Sequence, residues 1–179
     1  MQLWHRESID FDLFFPNQEK LPLRKIEKEL KILWQDYLRI SKEENYHRTV
    51  IINEVKITWF AYMYPISDDL LIESKYFKVP SLLHLAAMKI HAIWQRAKWK
   101  DYVDIYFLIK EFWLEKILDY TRDFFGWEIN KRLFCSQLSY YDDIDYSEEV
   151  LYVSGFEVWN DKIKTFLSNE WKKYLKNII

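Results

Sequence analysis

The chain has 179 residues, half of them hydrophobic and 19% aromatic, and its 26 basic and 28 acidic side chains leave a net charge of −2. This composition excludes a disordered chain and a globally basic nucleic-acid binder, although it is compatible with a local basic patch. Cys135 is the single cysteine and is interpreted as a core residue. No apolar run reaches the roughly 18 residues of a membrane span, so we expect a cytoplasmic protein without a membrane partner.

Glycine is the most informative residue count. Gly126 and Gly155 are the only two glycines, and both lie in the C-terminal third of the sequence. A dinucleotide-binding GxGxxG loop or a Walker GxxxxGK[ST] loop needs glycines that are closely spaced, which this chain does not contain. The sequence therefore excludes both of these phosphate-binding loops.

Residues Arg6 to Phe15 alternate in polarity and predict a β-strand. One face of this strand carries the polar side chains Arg6, Ser8, Asp10 and Asp12. The other face carries Ile9, Phe11, Leu13 and Phe15. Two carboxylates at positions i and i+2 of a strand can bind a hard cation such as Mg²⁺. The alternative interpretation is a half-exposed strand whose polar face meets water.

One helix and several strands are predicted next. A stripe of apolar side chains predicts an amphipathic helix from Leu23 to Ile40. β-Branched and aromatic residues predict strands at Arg48 to Ile52 and Val55 to Tyr64, with a tight turn at Asn53-Glu54, and a short strand in Leu70 to Phe77. We expect one domain over residues 1–179, rich in sheet over about 1–80 and helical over about 81–179.

The stretch Ser81 to Leu108 carries charged side chains into an apolar setting. Lys89 and Arg96 lie on its first helix, while Asp101 and Asp104 lie on one side of a second helix that is apolar nearly all round. Because a buried carboxylate is costly unless it is paired, we predict that these four side chains meet in a polar seam. The spacing leaves open a structural ion-pair network or an active site.

The last third of the chain predicts further helices around an acidic loop. An amphipathic helix from Leu114 to Phe125 ends at Gly126, and a helix is predicted for Ile129 to Leu138. Acidic residues cluster between positions 142 and 149, which we interpret as an exposed loop. The final helix, near Val158 to Leu175, is the most basic segment, and its lysines fit either contact with a phosphate backbone or a solvated face.

Three sequence blocks occur in an order that is typical of a known family. They read HRESIDFDLFF, HLAAMKIHAIWQRAKWKDYVDIYFL and LSYYDDID, the last one followed by a tryptophan-bearing helix. In these blocks the chain resembles the AbiEii/AbiGii toxin family of nucleotidyltransferases, part of the polymerase-beta-like superfamily. The resemblance implies an α+β fold, with a nucleotidyltransferase-like mixed sheet flanked by helices and a helical C-terminal part.

The resemblance also implies an activity and its catalytic residues. The activity is Mg²⁺-dependent transfer of a nucleotidyl group from an NTP to an RNA acceptor, tRNA in some members, by the toxin of a toxin–antitoxin or phage-defence pair. Asp10 and Asp12 match the carboxylates that bind the metal. Lys89 and Asp101 match the lysine and the first acid of the helical block, and both are implied to be catalytic.

Four further residues are expected to support this site. Ser8 matches the serine that precedes the metal-binding carboxylates and is implied to contact the nucleotide. Arg6 and Arg96 are expected to contact its phosphates. Asp104 is expected to be structural, as the ion-pair partner of Arg96.

The sequence departs from the family pattern at three places. A Gly-Gly or Gly-Ser turn upstream of the acidic strand is missing before Arg6, Thr58 stands where a third carboxylate is frequent, and His84 replaces an aspartate. We therefore expect an N-terminally shortened member of the family. Three functions stay open. The first is an active nucleotidyltransferase toxin, and the second is a catalytically dead relative that binds a partner protein such as a cognate antitoxin. The third is a helical-plus-sheet binding module whose acidic strand is merely solvated.

Overall fold

The computed structural model describes residues 3–8, 10–33, 38–67, 70–73, 77–126 and 136–178, which form the predicted α+β fold. The strands are β1 (Asp10–Pro16), β2 (Leu38–Glu43), β3 (His47–Ile52), β4 (Val55–Tyr62), β5 (Leu71–Glu73) and β6 (Lys78–Pro80). The helices are α1 (Leu23–Leu33), α2 (Leu82–Gln95), α3 (Trp99–Phe112), α4 (Leu114–Phe125) and α5 (Asn160–Ile178). Within these residues the strands precede position 81, and all helices except α1 follow it.

The chain divides into two compact units. The sheet unit is the continuous segment Ser8–Asp69 and contains β1 to β4 together with α1. The helical unit combines Met1–Glu7 with Leu70–Ile179 and contains α2 to α5 with the β5–β6 pair. The assignment of residues 1–179 to one nucleotidyltransferase-like domain stays a prediction.

The sheet unit is built on a mixed four-stranded sheet in the order β1-β4-β3-β2. β1 runs parallel to β4, whereas β3 is antiparallel to both of its neighbours. The turn between β3 and β4 confirms the predicted hairpin, because Asn53 (φ 48°) and Glu54 (φ 68°) both adopt the left-handed conformation of a two-residue hairpin loop.

Helix α1 covers one face of this sheet. Its buried Ile26 and Leu30 pack with Val50 and Ile52 of β3, and Phe15 of β1 packs against the same core. Side chains alternate along a strand, so the even-numbered residues of β1 project from the opposite face. That alternation places the acidic positions of β1 away from the core.

The N-terminal strand is shorter than the predicted Arg6 to Phe15. β1 begins at Asp10, and Arg6 instead forms an isolated antiparallel bridge with Tyr152 in the helical unit. Ile9 lies outside the described residues. Alternation alone cannot locate the start of a strand, because the pairing partner of each residue lies far away in the sequence.

The predicted helix Leu23 to Ile40 is confirmed for Leu23–Leu33 and wrong for its last three residues. α1 ends at Leu33, and Leu38–Glu43 is strand β2, which pairs antiparallel with β3. Backbone pairing with a neighbouring strand here overrides the helical stripe of apolar residues, because local propensity is weak beside tertiary contacts. Residues 34–37 lie outside the described part.

The helical unit is organised by α2 and α3, which are joined by the three residues 96–98. Ser81 caps α2 through its side chain, which accepts a hydrogen bond from the backbone N–H of His84 at 3.3 Å. The predicted end of α4 at Gly126 is confirmed, since this glycine adopts φ 71°. Residues 127–135, with Cys135 and most of the helix predicted for Ile129 to Leu138, lie outside the described residues. None of the described helices combines the length and apolar character needed to cross a membrane.

Candidate active site

A buried ion cluster surrounds Asp104 of α3 in the helical unit. Asp104 is 2% exposed, and its Oδ1 atom lies 2.6 Å from Arg6 Nε and 2.8 Å from His5 Nε2. Its Oδ2 atom lies 2.8 Å from Arg6 Nη2 and 2.7 Å from Lys89 Nζ. The guanidinium of Arg6 therefore binds both oxygens of one carboxylate, which is the strongest geometry for this pair of groups.

Lys89 of α2 links Asp104 to a second carboxylate. Its Nζ atom donates to Asp101 Oδ1 at 2.8 Å as well as contacting Asp104. Asp101 and Asp104 are three positions apart on α3, so they point from one face of that helix. The Asp101 side chain is fully buried, whereas the Lys89 side chain is 22% exposed. The predicted polar seam between the two helices is confirmed.

Arg96 follows α2 and contacts the outer side of this seam. Its Nε atom lies 3.3 Å from Asp101 Oδ2. This contact is an ion pair without hydrogen-bond geometry, and Asp101 Oδ2 has no hydrogen-bond partner within the described residues. The predicted pairing of Arg96 with Asp104 is wrong. Arg96 belongs to the short connection before α3 and meets the first turn, where Asp101 lies, whereas Asp104 is one turn further along. The Arg96 side chain is 46% exposed, so it also faces solvent.

Burial and neighbouring charges act in opposite directions on the pKa values of the cluster. Burial alone would raise the pKa of Asp104, but Lys89, His5 and Arg6 outweigh this effect and hold its pKa well below the usual range. Burial would lower the pKa of Lys89, but Asp104 and Asp101 raise it. Three basic side chains against two carboxylates leave one positive charge in excess when His5 is neutral. The cluster therefore favours an anionic ligand.

His5 is the member of the cluster that sequence analysis missed. Its ring stacks on Phe107 with centroids 4.5 Å apart, and its Nδ1 atom has no hydrogen-bond partner within the described residues. The backbone of this N-terminal segment is held by Val153, whose N–H donates to the His5 carbonyl at 3.1 Å, and by a 2.8 Å bond from Glu7 N–H to Leu151 O. The available signal was the His-Arg pair that opens the first sequence block.

The two nucleotide contacts predicted near the N-terminus have other partners here. The Arg6 side chain is 10% exposed and binds Asp104. Ser8 is exposed, and its Oγ atom donates to the backbone carbonyl of Asp10 at 3.2 Å. Contact of either residue with a nucleotide stays a prediction.

In the sheet unit, Asp10 and Asp12 project from the face opposite to α1. Lys56 of β4 pairs with Asp10 across the parallel strands, and its Nζ atom lies 3.2 Å from Asp10 Oδ2. Thr58, the strand partner of Asp12, is buried, and its Oγ1 atom lies 3.1 Å from Thr49 Oγ1. The Thr58 hydroxyl is therefore hydrogen-bonded within the sheet, at the position where the resemblance places a third carboxylate.

The carboxylates of β1 fit one kind of Mg²⁺ site. Mg²⁺ is commonly held by one or two carboxylates, with waters and substrate phosphates completing its octahedral shell. Asp10 and Asp12 provide two such groups on one strand face. No group of three or more His, Cys, Asp or Glu side chains in the described ranges is arranged to hold a metal ion. An ion at this strand would thus need oxygen ligands from a substrate or from water.

A second set of contacts holds the start of α3. Glu148 contacts both Lys98 and Lys100, and these two cations outweigh its burial and lower its pKa to about 2. Beside it, Asp145 forms a bridge with Lys98, and its backbone N–H donates to Ala97 O at 2.7 Å. Part of the predicted acidic loop is thereby tied to the connection between α2 and α3.

Replacing Glu148 with glutamine is expected to lower the free energy of unfolding at pH 7 by about 1 kcal/mol. The side chain is one-third exposed, so water screens the two ion pairs and the effect stays small. Since folding lowers this pKa from 4.5 to about 2, the stabilisation is present above pH 4.5 and is lost as the pH falls towards 2. Urea unfolding at pH 7 and pH 3 measures the difference, with exposed Asp142→Asn as control. An equal loss at both pH values would contradict the ionic explanation.

Comparison with known proteins places the helical members of this cluster within a toxin domain. Residues 55–177, more than half of the chain, match the family model described as "Nucleotidyl transferase AbiEii toxin, Type IV TA system", and they include Lys89, Arg96, Asp101 and Asp104. The matched segment is thus a nucleotidyl transferase toxin domain of a toxin–antitoxin system. The chain belongs to the AbiEii toxin family.

One relative matches nearly the whole chain. The uncharacterized protein aq_aa25 of Aquifex aeolicus (strain VF5) is 28% identical over 184 residues. That alignment covers 97% of this chain and 82% of the relative. No solved structure matches the chain.

Proposed function

We propose that this protein transfers a nucleotidyl group from an NTP to an RNA acceptor, with a tRNA 3′ end as the acceptor and a cognate antitoxin protein as its partner in the cytoplasm. Membership of the AbiEii family supports the class of reaction. The observation that carries the proposal is the pair of carboxylates, Asp10 and Asp12, on one face of β1. Metal binding by these two residues is part of the proposal.

In the proposed reaction, the 3′-hydroxyl oxygen of the RNA bonds to the α-phosphorus of the NTP. The bond from that phosphorus to the bridging oxygen breaks, pyrophosphate leaves, and the hydroxyl proton passes to solvent. Such transfer depends on positioning and on stabilisation of negative charge rather than on covalent chemistry by the protein. Mg²⁺ bound at Asp10 and Asp12 would supply part of that stabilisation.

Lys89 is the proposed phosphate-binding group of the helical unit. Its side chain is 22% exposed, and its raised pKa keeps the amino group charged at neutral pH. Asp101 is fully buried and bonds to Lys89, so we assign it a positioning role. Arg96 has a half-exposed side chain next to Asp101 and is proposed to contact phosphate as well.

A second function, partner binding by a catalytically inactive relative, is favoured by Thr58. This side chain is 4% exposed and engaged with Thr49, so it offers no charged ligand for a metal. If the two remaining carboxylates do not bind Mg²⁺ productively, the protein would act through a protein surface alone.

Nucleotide labelling of RNA separates the two functions. The purified chain is incubated with total tRNA, Mg²⁺ and each of the four α-labelled NTPs in turn, with an EDTA-treated reaction as control. We expect label to enter RNA with at least one NTP and to disappear with EDTA. Absence of label with all four NTPs, together with absence of nucleotide binding by calorimetry, would contradict the enzyme and support partner binding.

A further inference from the structure

The solvent-facing side of α5 is basic and polar along its length. Between positions 162 and 176, after the exposed Asp161 of the first turn, its exposed residues form what we call the α5 stripe: Lys162, Thr165, Asn169, Lys172, Lys173 and Lys176. At 3.6 residues per turn these six positions fall within about 100° of the helix circumference, and they span about 21 Å along its axis. The α5 stripe contains four lysines and no carboxylate.

The rest of α5 explains why this side faces solvent. Ile163, Leu167 and Tyr174 are buried, so the opposite side of the helix packs against the helical unit. Glu170 lies off the stripe and contacts Lys173 at 3.8 Å, a long pair with an exposed lysine that contributes little energy. The four ammonium groups therefore present a local positive surface on a chain whose net charge is −2.

An exposed aromatic ring adjoins the α5 stripe. Trp113 lies between α3 and α4, is 70% exposed, and its ring centroid lies 5.7 Å from Lys173 Nζ. Its backbone adopts φ 69°, a left-handed conformation that bulky residues rarely adopt. The fold thus holds a large apolar ring in solvent, at some backbone cost, next to a cation.

We propose that the α5 stripe and Trp113 bind the RNA acceptor, with the lysines on phosphates of one strand and an unpaired base stacked on the indole ring. This inference rests on the proposed function and names the surface that holds its RNA substrate. Four lysines over about 21 Å match about six phosphates of one strand at 3.4 Å each. An acidic protein would satisfy the lysines alone, whereas a strand with unpaired bases also uses the exposed ring, because each base offers a stacking face.

The test measures binding of a fluorescent single-stranded RNA of about 12 nucleotides by anisotropy, without NTP or Mg²⁺, over a range of salt concentrations. The variant carries Lys162→Gln, Lys172→Gln, Lys173→Gln and Lys176→Gln. We expect its affinity at low salt to fall at least tenfold. The slope of log K against log salt should become shallower by about 3, since each single-strand phosphate contact contributes about 0.7.

A matched variant on α1 controls for loss of charge in general. Arg24→Gln, Lys25→Gln, Lys28→Gln and Lys31→Gln remove the same number of exposed positive charges from the sheet unit. We expect this variant to keep the wild-type slope. An equal loss of affinity in both variants, or a wild-type slope in the α5 variant, would overturn the proposal.

Trp113→Ala tests the stacking contact separately. We expect affinity to fall about fivefold or more with an unchanged salt slope, whereas Trp4→Ala, another exposed tryptophan, leaves binding unchanged. Failure of the wild-type chain to bind this RNA at any salt concentration would overturn the proposal and favour an acidic protein as the partner of the stripe. RNA binding with these variant effects but without nucleotide labelling would support the surface and contradict the proposed reaction.

Discussion

Replacing Asp104 with asparagine is expected to lower the free energy of unfolding by about 3–5 kcal/mol at pH 7, the usual cost of breaking a buried ion pair from one side. Asp104 neutralises Arg6 and Lys89 and binds His5 within a site that excludes most water. Asparagine keeps the shape of the side chain but leaves the two buried cations without enough negative charge. The cost of these uncompensated charges exceeds the energy of the removed contacts alone. Urea unfolding followed by tryptophan fluorescence measures the change.

Two controls identify the source of this effect. Asp119→Asn removes an exposed carboxylate that pairs with Arg122 and is expected to change stability by at most about 0.5 kcal/mol. Adding Lys89→Met to Asp104→Asn should restore part of the lost stability, because one of the uncompensated cations is then removed. A loss below about 1 kcal/mol for Asp104→Asn would show that solvent already stabilises these cations.

The same cluster predicts a pH dependence. Folding lowers the pKa of Asp104, so its stabilisation is present above its unfolded pKa of about 4 and is lost as the pH falls towards its folded value. Folding raises the pKa of Lys89, so that contribution is complete below about pH 10 and is lost at higher pH. The stability difference between the wild type and Asp104→Asn should thus shrink as the pH falls below about 5.

Asp10→Ala is expected to lower the rate of nucleotide transfer to RNA by 10²- to 10³-fold or more, while leaving the fold intact. The reason is the loss of one of the two carboxylates proposed to bind Mg²⁺, which stabilises charge that develops on the phosphates. Asp10 is partly exposed at the sheet edge, so its removal creates no cavity in the core. Initial rates of labelling at saturating Mg²⁺, with circular dichroism of each variant, provide the measurement.

Lys56→Gln is the matched control for Asp10. Lys56 Nζ lies 3.2 Å from Asp10 Oδ2, so its ammonium group competes with a metal ion for that oxygen. Its removal is expected to preserve transfer and to lower the Mg²⁺ concentration at half-maximal rate. Full transfer by Asp10→Ala would contradict the assigned metal site, and equal inactivation of both variants would indicate that the strand pair, not the metal, had been damaged.

Part of the site was predictable because it depends on neighbouring helices. Lys89 and Asp101 are twelve positions apart on consecutive helices, so helical periodicity predicts that the basic and acidic side chains meet. Which cation meets which carboxylate was not predictable, and Arg96 pairs with Asp101 rather than Asp104. That choice depends on how far along α3 each carboxylate lies from the connection.

The remaining contacts of the cluster come from the distant N-terminus. Arg6 and His5 reach Asp104 from 98 and 99 positions away, and nothing in the local sequence pattern predicts such a contact. The strand β2, whose first three residues were predicted to be helical, has the same origin, because its backbone pairs with β3. Contacts between distant segments are decided by the assembled fold.

The sequence alone determined the α+β class, the exclusion of glycine-rich phosphate loops, the β3–β4 hairpin and the family resemblance. The exclusion and the hairpin depend on composition and on short-range turn chemistry, whereas the fold class follows from the family resemblance, which depends on three sequence blocks. The tertiary structure decided the partners of Asp104, the start of β1, the engagement of Thr58 with Thr49 and the position of Trp113 beside Lys173. These depend on which side chains are buried together, and burial sets the electrostatic cost that each charged or polar group must offset.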